Sequence, residues 1–310
     1  MRLVFAGTPS PAVPSLRTLA AGEHEVAMVL TRPDAPLGRK RVLTPSPVAE
    51  AAERLALPVL RPTVLDAEVS ASLAAVEPDL GVVVAYGKLL REPLLSVPRL
   101  GWINLHFSLL PRWRGAAPVQ RALLAGDAVT GVSVFQLEAG MDTGPVYARE
   151  EHTIGRHETA GHLLGVLAER GAAVLARVVD DLADGTAVGV PQEGEPTLAP
   201  KLTLLDGAID WRQSADRVLD RVRGATPEPG AYLMLSGERL KVHEAAPSRD
   251  SAGVRPGELT LRGRSVVLGT GTVPVELVVV QPSGRRAMAA AAWWRGLGGV
   301  ASLSADLEQA

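Results

Sequence analysis

The sequence of 310 residues contains no cysteine. This absence excludes disulfide bonds, thiolate catalysis and cysteine-based zinc sites, and it fits a reducing compartment, so we expect the cytoplasm. Long uncharged apolar runs are also missing, which argues against a membrane-spanning segment. Residues 1–7 lack the apolar region of a signal peptide and have instead the composition of a buried strand.

Neither a strong net charge nor a nucleotide-binding signature is present. The 32 Lys and Arg side chains nearly balance the 34 Asp and Glu side chains, and the formal net charge is −2. Any contact with nucleic acid must therefore come from a local basic patch. Residues 7–11, which follow the first predicted strand, match neither the G-x-G-x-x-G nor the Walker A pattern, so a nicotinamide or ATP cofactor is poorly supported.

Strand and helix signals alternate through the first two thirds of the chain. Strands are predicted over 3–6, 25–30, 80–85, 130–136 and 146–153, and helices over 11–20, 47–55, 66–76, 118–125 and 157–181. This alternation predicts an α/β domain with a mostly parallel sheet and helices on both faces. The length of the chain favours two domains.

From residue 204 onward the pattern changes. A helix is predicted over 214–223, with Ser214 as its N-cap. Strands are predicted over 231–235, 240–244, 257–261, 265–268 and 273–280, with Gly turns between them. Short strands of this kind favour a small β-barrel. We therefore predict a first domain over 1–203 and a second over 204–310.

The stretch 102–144 brings polar side chains to a predicted strand end. Asn104 and His106 alternate along the strand and so lie on one face, while Asp142 lies in the Gly-flanked loop 140–144. Ligands bind at the carboxyl ends of strands in open α/β sheets. The residues alone leave a second interpretation open, in which each side chain has a structural hydrogen-bonding or turn role.

Four motifs in this stretch resemble the formyltransferase family that uses 10-formyltetrahydrofolate. They are Asn104-Leu105-His106, Ser108-Leu109-Leu110-Pro111, Trp113-Arg114-Gly115-Ala116-Ala117-Pro118 and Met141-Asp142-Thr143-Gly144. The resemblance implies a Rossmann-like first domain, an OB-like second domain, 10-formyltetrahydrofolate as formyl donor, and no metal. It also implies that Asn104, His106 and Asp142 form the catalytic set. Phe107 stands where many members have Gly, a difference that bears on the shape of the folate pocket.

The same resemblance implies two folate-binding segments. One contains Ser108, Leu109, Leu110 and Pro111, and the other contains Tyr86 and Gly87 after the buried strand 80–85. Family members hold the pterin ring with backbone groups of the second segment. Tyr86 could instead be a core aromatic residue, and the sequence does not decide between folate binding and a role in the core.

Residues 31–47 form a long predicted loop that carries three consecutive cations, Arg39, Lys40 and Arg41. Charge alone fits a solvated turn. In members that formylate initiator methionyl-tRNA, however, a loop at this place enters the acceptor-stem region, and the 113–118 run is also more particular to those members. The resemblance therefore implies initiator methionyl-tRNA as the acceptor, tRNA contacts by the three cations, and a monomer.

Three alternatives remain at the level of the sequence. A formyltransferase acting on glycinamide ribonucleotide or an amino-sugar nucleotide would share the Asn-His-Asp set, but it should lack the basic loop and the second domain. A folate hydrolase or dehydrogenase module should carry a fused partner domain. A non-catalytic RNA-binding protein has no need to retain all three polar groups.

Overall fold

The computed structural model of the chain describes residues 1–38, 40–249, 253–298 and 300–306. Within these residues the chain divides into two compact units. The first contains Met1–Pro118, Val129–Thr153 and Leu164–Ala199, and the second contains Val119–Ala128, Ile154–Leu163 and Pro200–Ala310. In the described ranges, no helix combines the length and apolar character needed to cross a membrane.

Strands and helices alternate through the first 199 residues, as the sequence predicts. The strands are β1 (Arg2–Gly7), β2 (Glu25–Leu30), β3 (Ala35–Leu37), β4 (Val42–Thr44), β5 (Val59–Leu60), β6 (Leu80–Val84), β7 (Trp102–His106), β8 (Arg114–Gly115), β9 (Val129–Gln136), β10 (Val146–Thr153) and β11 (Leu198–Ala199). The helices are α1 (Val13–Ala21), α2 (Pro47–Arg54), α3 (Ala67–Ala74), α4 (Pro118–Ala125) and α5 (Ala160–Ala183), with short 3₁₀ turns at Ser10–Ala12 and Leu94–Ser96.

The central sheet of the first unit has the order β10-β9-β7-β6-β1-β2-β5. The five strands from β7 to β5 are parallel, and β9 and β10 are antiparallel additions at one edge. This arrangement confirms the predicted, mostly parallel α/β sheet. It also gives β7 a parallel neighbour on one side and an antiparallel neighbour on the other.

The strand β7 is fixed firmly in the sheet by close packing. Gly81 of β6 lies beside Trp102 of β7, and a Cβ atom at position 81 would overlap the indole ring. The indole Nε1 of Trp102 donates to the carbonyl of Leu94 over 2.9 Å. The start of β7 is therefore held in place, and the strand carries Asn104 and His106 in a defined register.

The loop predicted over 31–47 contains a β-hairpin. Strands β3 and β4 pair antiparallel, with Ala35 opposite Thr44 and Leu37 opposite Val42. Gly38, with φ of 69°, and Arg41, with φ of 49°, adopt the left-handed backbone conformation that reverses the chain. The sequence analysis did not predict this pairing, because it is too short to produce a pattern in the sequence.

The second unit contains an antiparallel barrel. Its elements are the 3₁₀ turn Leu204–Gly207, α6 (Ala215–Ala225), β12 (Ala231–Leu235), β13 (Glu238–Pro247), β14 (Glu258–Arg262), β15 (Ser265–Leu268), β16 (Val275–Gln281), β17 (Met288–Ala289), α7 (Ala290–Arg295) and β18 (Ser302–Ser304). The sheet order is β12-β13-β16-β15-β14-β18, and β17 pairs with β16. A bridge between Met234 and Asp306 joins the two edges, so the sheet closes on itself. This confirms the predicted small barrel.

Helix α6 packs into the core of the second unit. Ser214 caps it by accepting from the backbone N–H of Arg217, as predicted. The buried side chains of Val218 and Val222 join a cluster with barrel residues such as Leu240 and Leu259. Since α4 lies largely within this second unit, the unit is built from three stretches of the chain, and the predicted boundary at residue 203 remains a prediction.

Candidate active site

The candidate site begins at the carboxyl end of β7. Asn104 pairs with Val83 of β6 and Phe135 of β9, and His106 pairs with Ser133 of β9. Side chains alternate along a strand, so Asn104 and His106 lie on one face of the sheet. Leu105, on the opposite face, is 1% exposed. The predicted placement of the two polar side chains thus follows from the register.

His106 is enclosed, with its side chain 6% exposed. Its Nε2 lies 2.8 Å from the backbone carbonyl of Trp113 and its ring contacts Phe135 edge to face. Because a carbonyl oxygen can only accept, Nε2 carries the proton in the neutral ring and Nδ1 presents a lone pair. Burial lowers the pKa of His106 below 6.5, although the Asp142 carboxylate and the Trp113 carbonyl act in the opposite direction. The imidazole is neutral at pH 7.

Asp142 approaches the bare nitrogen of this ring. Its Oδ2 lies 3.9 Å from His106 Nδ1 and accepts the backbone N–H of Gly115 over 2.7 Å. The register pairs Ile103 with Gln136, so β9 ends beside the start of β7, and the loop that carries Asp142 must return along the sheet to reach His106. Asp142 itself adopts φ of 51°, a left-handed conformation that is costly for a residue other than glycine.

Asn104 is half-buried and has an unused acceptor. Within the described part of the chain its Oδ1 is buried and has no hydrogen-bond partner. Buried polar atoms are nearly always paired in native proteins, so an unpaired acceptor at a strand end that also carries His106 is a candidate position for a ligand donor. An amine N–H of a bound ligand would supply the missing hydrogen-bond donor. This agrees with the sequence-based assignment of Asn104 to the site.

Sequence analysis did not identify a further part of the site, which lies in the segment that follows α5. Gln192 donates through Nε2 to the carbonyls of Asp142 and Gly144, over 2.7 and 2.9 Å. Its Oε1 accepts from Arg114 over 2.7 Å. Thr197 Oγ1 accepts the backbone N–H of Trp113 over 2.8 Å. These partners are backbone atoms for the most part, so no sequence motif marks the contacts.

The first predicted folate segment, 108–111, is partly internal. Ser108 is fully buried and its hydroxyl donates to the carbonyl of Arg112 over 2.6 Å, while Leu110 is 2% exposed. Leu109 and Pro111 are half-buried. Phe107 is also buried, at 7% exposure. The hydroxyl of Ser108 is therefore committed to the loop, and folate binding by this segment remains a prediction.

The second predicted folate segment contains one internal and one exposed residue. The ring of Tyr86 is 4% exposed and belongs to an apolar cluster with Val4, Leu73 and Trp102. Burial raises the pKa of the Tyr86 hydroxyl to about 12. Its backbone carbonyl accepts from Thr8 Oγ1 over 3.0 Å, and Gly87 is exposed. The structure therefore places the Tyr86 side chain in the core, the second of the two interpretations.

Two of the predicted tRNA-binding cations, Lys40 and Arg41, lie at the tip of the hairpin formed by β3 and β4. Lys40 and Arg41 are exposed, and Arg39 lies outside the described residues. The apolar side chains of Leu37 and Leu43 on the same hairpin are 66% and 67% exposed. The hairpin thus presents both charge and apolar surface to solvent, and its role in tRNA binding remains a prediction.

The three polar side chains provide groups suited to acyl transfer. Asn104 offers an amide, His106 a neutral imidazole with one free nitrogen, and Asp142 a carboxylate next to that nitrogen. An amide N–H stabilises a developing oxyanion, and the imidazole and carboxylate accept protons. In the part of the chain that the structure describes, no cluster of three or more His, Cys, Asp or Glu residues is arranged to hold a metal ion.

Models of two protein families match the chain. The family described as formyl transferase matches residues 1–179, and the family described as formyl transferase, C-terminal domain, matches residues 201–298. The first match covers the sheet and the three polar groups of the site. The second covers most of the barrel-containing part of the chain.

Relatives similar over nearly the full length carry one name. A methionyl-tRNA formyltransferase from Clavibacter sepedonicus is 64% identical over 297 residues, covering 96% of this chain and 97% of the relative. A protein of the same name from Leifsonia xyli subsp. xyli is 59% identical over 305 residues, covering 98% of this chain and 100% of the relative.

A solved structure supports the fold. The sugar 3N-formyl transferase WlaRD, crystallised in the presence of dTDP and 5-N-formyl-THF, superposes with a TM-score of 0.69 at 13% identity, covering 92% of this chain and 99% of that one. At this identity the likeness concerns the fold alone. The two family matches and the full-length relatives go further, and by them the chain belongs to the formyl transferase family.

Proposed function

We propose that the protein transfers the formyl group of 10-formyltetrahydrofolate to the α-amino group of methionine on initiator methionyl-tRNA, giving formylmethionyl-tRNA for translation initiation. The observation that carries the proposal is the similarity, across both family regions, to relatives called methionyl-tRNA formyltransferase at 59–64% identity. The arrangement of Asn104, His106 and Asp142 supports the chemistry.

The reaction moves a formyl group from one nitrogen to another. The methionine amine forms a bond to the formyl carbon, and the carbonyl electron pair moves to oxygen, so a tetrahedral centre with a negative oxygen results. We assign Asn104 the stabilisation of this oxygen through its amide N–H, while its Oδ1 accepts from the attacking amine. Loss of such a donor typically lowers the rate by about 10²- to 10³-fold.

Proton movement is assigned to His106 and Asp142. The Nε2 proton of His106 is engaged by the Trp113 carbonyl, so Nδ1 takes the proton that the amine releases. The Asp142 carboxylate, 3.9 Å away, stabilises the resulting imidazolium. The same nitrogen then returns the proton to the folate nitrogen as its bond to the formyl carbon breaks. General acid–base catalysis of this kind contributes about 10²- to 10⁴-fold.

The tRNA acceptor fits two features outside the sheet. The hairpin with Lys40 and Arg41 at its tip supplies exposed cations, which bind phosphates without reading sequence. The closed barrel corresponds to the OB-like second domain expected of members that act on tRNA. We further propose that the protein acts as a monomer in the cytoplasm. Size-exclusion chromatography would test the oligomeric state, and cell fractionation would test the location.

The acceptor is tested by a formylation assay with several candidates. Methionyl-initiator-tRNA, glycinamide ribonucleotide and a dTDP-linked amino sugar are each incubated with 10-formyltetrahydrofolate and the protein. Formylmethionyl-tRNA as the main product supports the proposal. Transfer to a small acceptor alone would retain a formyltransferase but overturn the tRNA assignment, and transfer to none of the three would overturn the catalytic assignment.

A further inference from the structure

Residues 190–199, here called the support segment, follow α5 and lie against the candidate site. The segment is fixed at both ends by backbone pairing. Val190 forms an antiparallel bridge with Val146, and β11 pairs parallel with β8. A composition rich in Gly, Pro and Glu is typical of a linker, but this segment is held in a defined position within the first unit.

Gln192 connects the support segment to the loop of Asp142. Both polar atoms of its amide form hydrogen bonds. Nε2 donates to the carbonyls of Asp142 and Gly144, and Oε1 accepts from Nε and Nη2 of Arg114. A neutral amide is the side-chain group that both donates two hydrogen bonds and accepts two. The two donated bonds hold the turn in which Asp142 has its left-handed conformation.

Thr197 connects the same segment to His106 through one intermediate residue. Its Oγ1 accepts the backbone N–H of Trp113, and the carbonyl of Trp113 accepts Nε2–H of His106. Trp113 has φ of 61°, so its backbone also needs support in a conformation that side chains disfavour. The proton position on the imidazole depends on this carbonyl.

We propose that the support segment positions the two proton-carrying groups, with Gln192 acting on Asp142 and Thr197 acting on His106 through Trp113. The inference rests on the proposed function. Its physical reason is that a catalytic group must be held within a fraction of an ångström of its productive geometry, and a displacement of about 1 Å costs about 10²-fold in rate. Gln192 and Thr197 are positioning residues, since their contacts are with the loops and not with the reacting atoms.

The test begins with formylation of methionyl-initiator-tRNA by the unaltered protein, since failure at that step concerns the proposed function and not this inference. Gln192→Met removes the amide at similar volume, and Thr197→Val removes the hydroxyl at similar volume. We expect kcat to fall about 10- to 100-fold in each variant, with KM for 10-formyltetrahydrofolate and for tRNA changed less than about twofold. Unchanged kcat in either variant would overturn the corresponding half of the proposal.

Conservative variants separate positioning from general stability. Gln192→Glu keeps the acceptor for Arg114 but loses both donors, so we expect it to be as slow as Gln192→Met. Thr197→Ser keeps the hydroxyl, so we expect it to restore most of the kcat that Thr197→Val loses. Glu195→Gln, at an exposed position of the same segment, is the control that leaves kcat unchanged. A fully active Gln192→Glu would show that the contact with Arg114 matters and not the hold on Asp142, and would overturn the assignment.

A double variant decides whether Gln192 acts through Asp142. In an Asp142→Asn background the position of the carboxylate no longer matters, so adding Gln192→Met should lower kcat little further. A second full loss would overturn the Gln192 half of the proposal. If Gln192→Met fails to fold, as judged by its melting temperature, Gln192→Glu alone and in the Asp142→Asn background takes its place in this comparison.

Discussion

At the scale of single residues, we assign His106 the transfer of the proton and Asp142 the stabilisation of the protonated imidazole. Replacement of His106 by Ala removes the acceptor nitrogen, and replacement of Asp142 by Asn removes the charge that stabilises the imidazolium. We expect kcat to fall by about 10²- to 10⁴-fold in each case, with the chain still folded at the assay temperature and a lower melting temperature for His106→Ala, because a buried ring is removed. His162→Ala, at an exposed histidine on α5, is the matched control. Near-normal turnover in either site variant would contradict the assignment.

The protonation of His106 predicts the acidic side of the pH profile. Burial lowers its pKa below 6.5, so the ring is neutral at pH 7 and gains a proton only at lower pH. We expect kcat/KM to fall on acidification with a midpoint below 6.5, and Asp142→Asn to move that midpoint lower still, because the carboxylate opposes the effect of burial. The unfolded chain binds this proton at higher pH than the folded chain, so the contribution of His106 to stability decreases as pH falls from about 6.5 towards the folded pKa. A kinetic midpoint at or above 6.5 would contradict the prediction.

Tyr86 distinguishes a core aromatic residue from a ligand contact. Its hydroxyl is buried and has no hydrogen-bond partner among the described residues, so Tyr86→Phe should leave stability unchanged or raise it by about 1 kcal/mol. Tyr147→Phe is the matched comparison, because Tyr147 donates to Gln136 over 2.8 Å and its loss should cost about 0.5–1.5 kcal/mol. Denaturant unfolding measures both. A raised KM for 10-formyltetrahydrofolate in Tyr86→Phe would show instead that the hydroxyl contacts the folate.

At the scale of elements, the hairpin of β3 and β4 is separable from the catalytic groups. Replacement of Arg39, Lys40 and Arg41 by Ala should raise KM for tRNA and make it less dependent on salt, since fewer phosphates are neutralised. KM for 10-formyltetrahydrofolate should not change. Replacement of the three exposed residues Arg17, Arg54 and Arg177 by Ala removes the same charge and is the matched comparison. An unchanged KM for tRNA at physiological salt would count against the hairpin.

Regular elements could be predicted from the sequence where a pattern extends over several residues. The bounds of β2, β12 and β15 follow directly from their apolar runs and flanking turn residues, and those of β10 follow from alternation along the strand. The three-residue strands of the hairpin could not be predicted, because so short a pairing depends on the turn at Gly38 and not on alternation. Strand β7 extends to His106, past the apolar pair at its start, since neighbours on both sides pair with it.

The candidate site could be predicted only in part, for a related reason. Alternation along β7 predicts that Asn104 and His106 share a face. Nothing in the spacing places Asp142 beside them, and its assignment to the site came from the resemblance to known formyltransferases. Gln192 escaped notice because its donors bind carbonyl oxygens, which every residue possesses.

At the scale of the whole molecule, the second unit includes most of helix α4, although the helix precedes the rest of that unit's barrel by about 75 residues or more in the sequence. Gly224 packs directly against Leu124, and Arg121 pairs with Asp206 over 2.7 Å. A fragment ending at residue 203 would leave the half-buried Leu124 without the packing of Gly224 and would leave Arg121 without its ion pair to Asp206. We expect the fragment to melt well below the intact chain in thermal unfolding. Equal melting temperatures would show that 1–203 is an independent domain.

The support segment also has a consequence for the order of biosynthesis. A ribosome completes β7 and the Asp142 loop before it reaches Gln192 and Thr197. A nascent chain that ends before the support segment therefore contains the three polar groups but lacks the hydrogen bonds that position them. We therefore expect no formyl transfer by a nascent chain before residues up to about 199 have left the exit tunnel. A partly made chain would carry the chemical groups of a formyltransferase and lack the geometry of one.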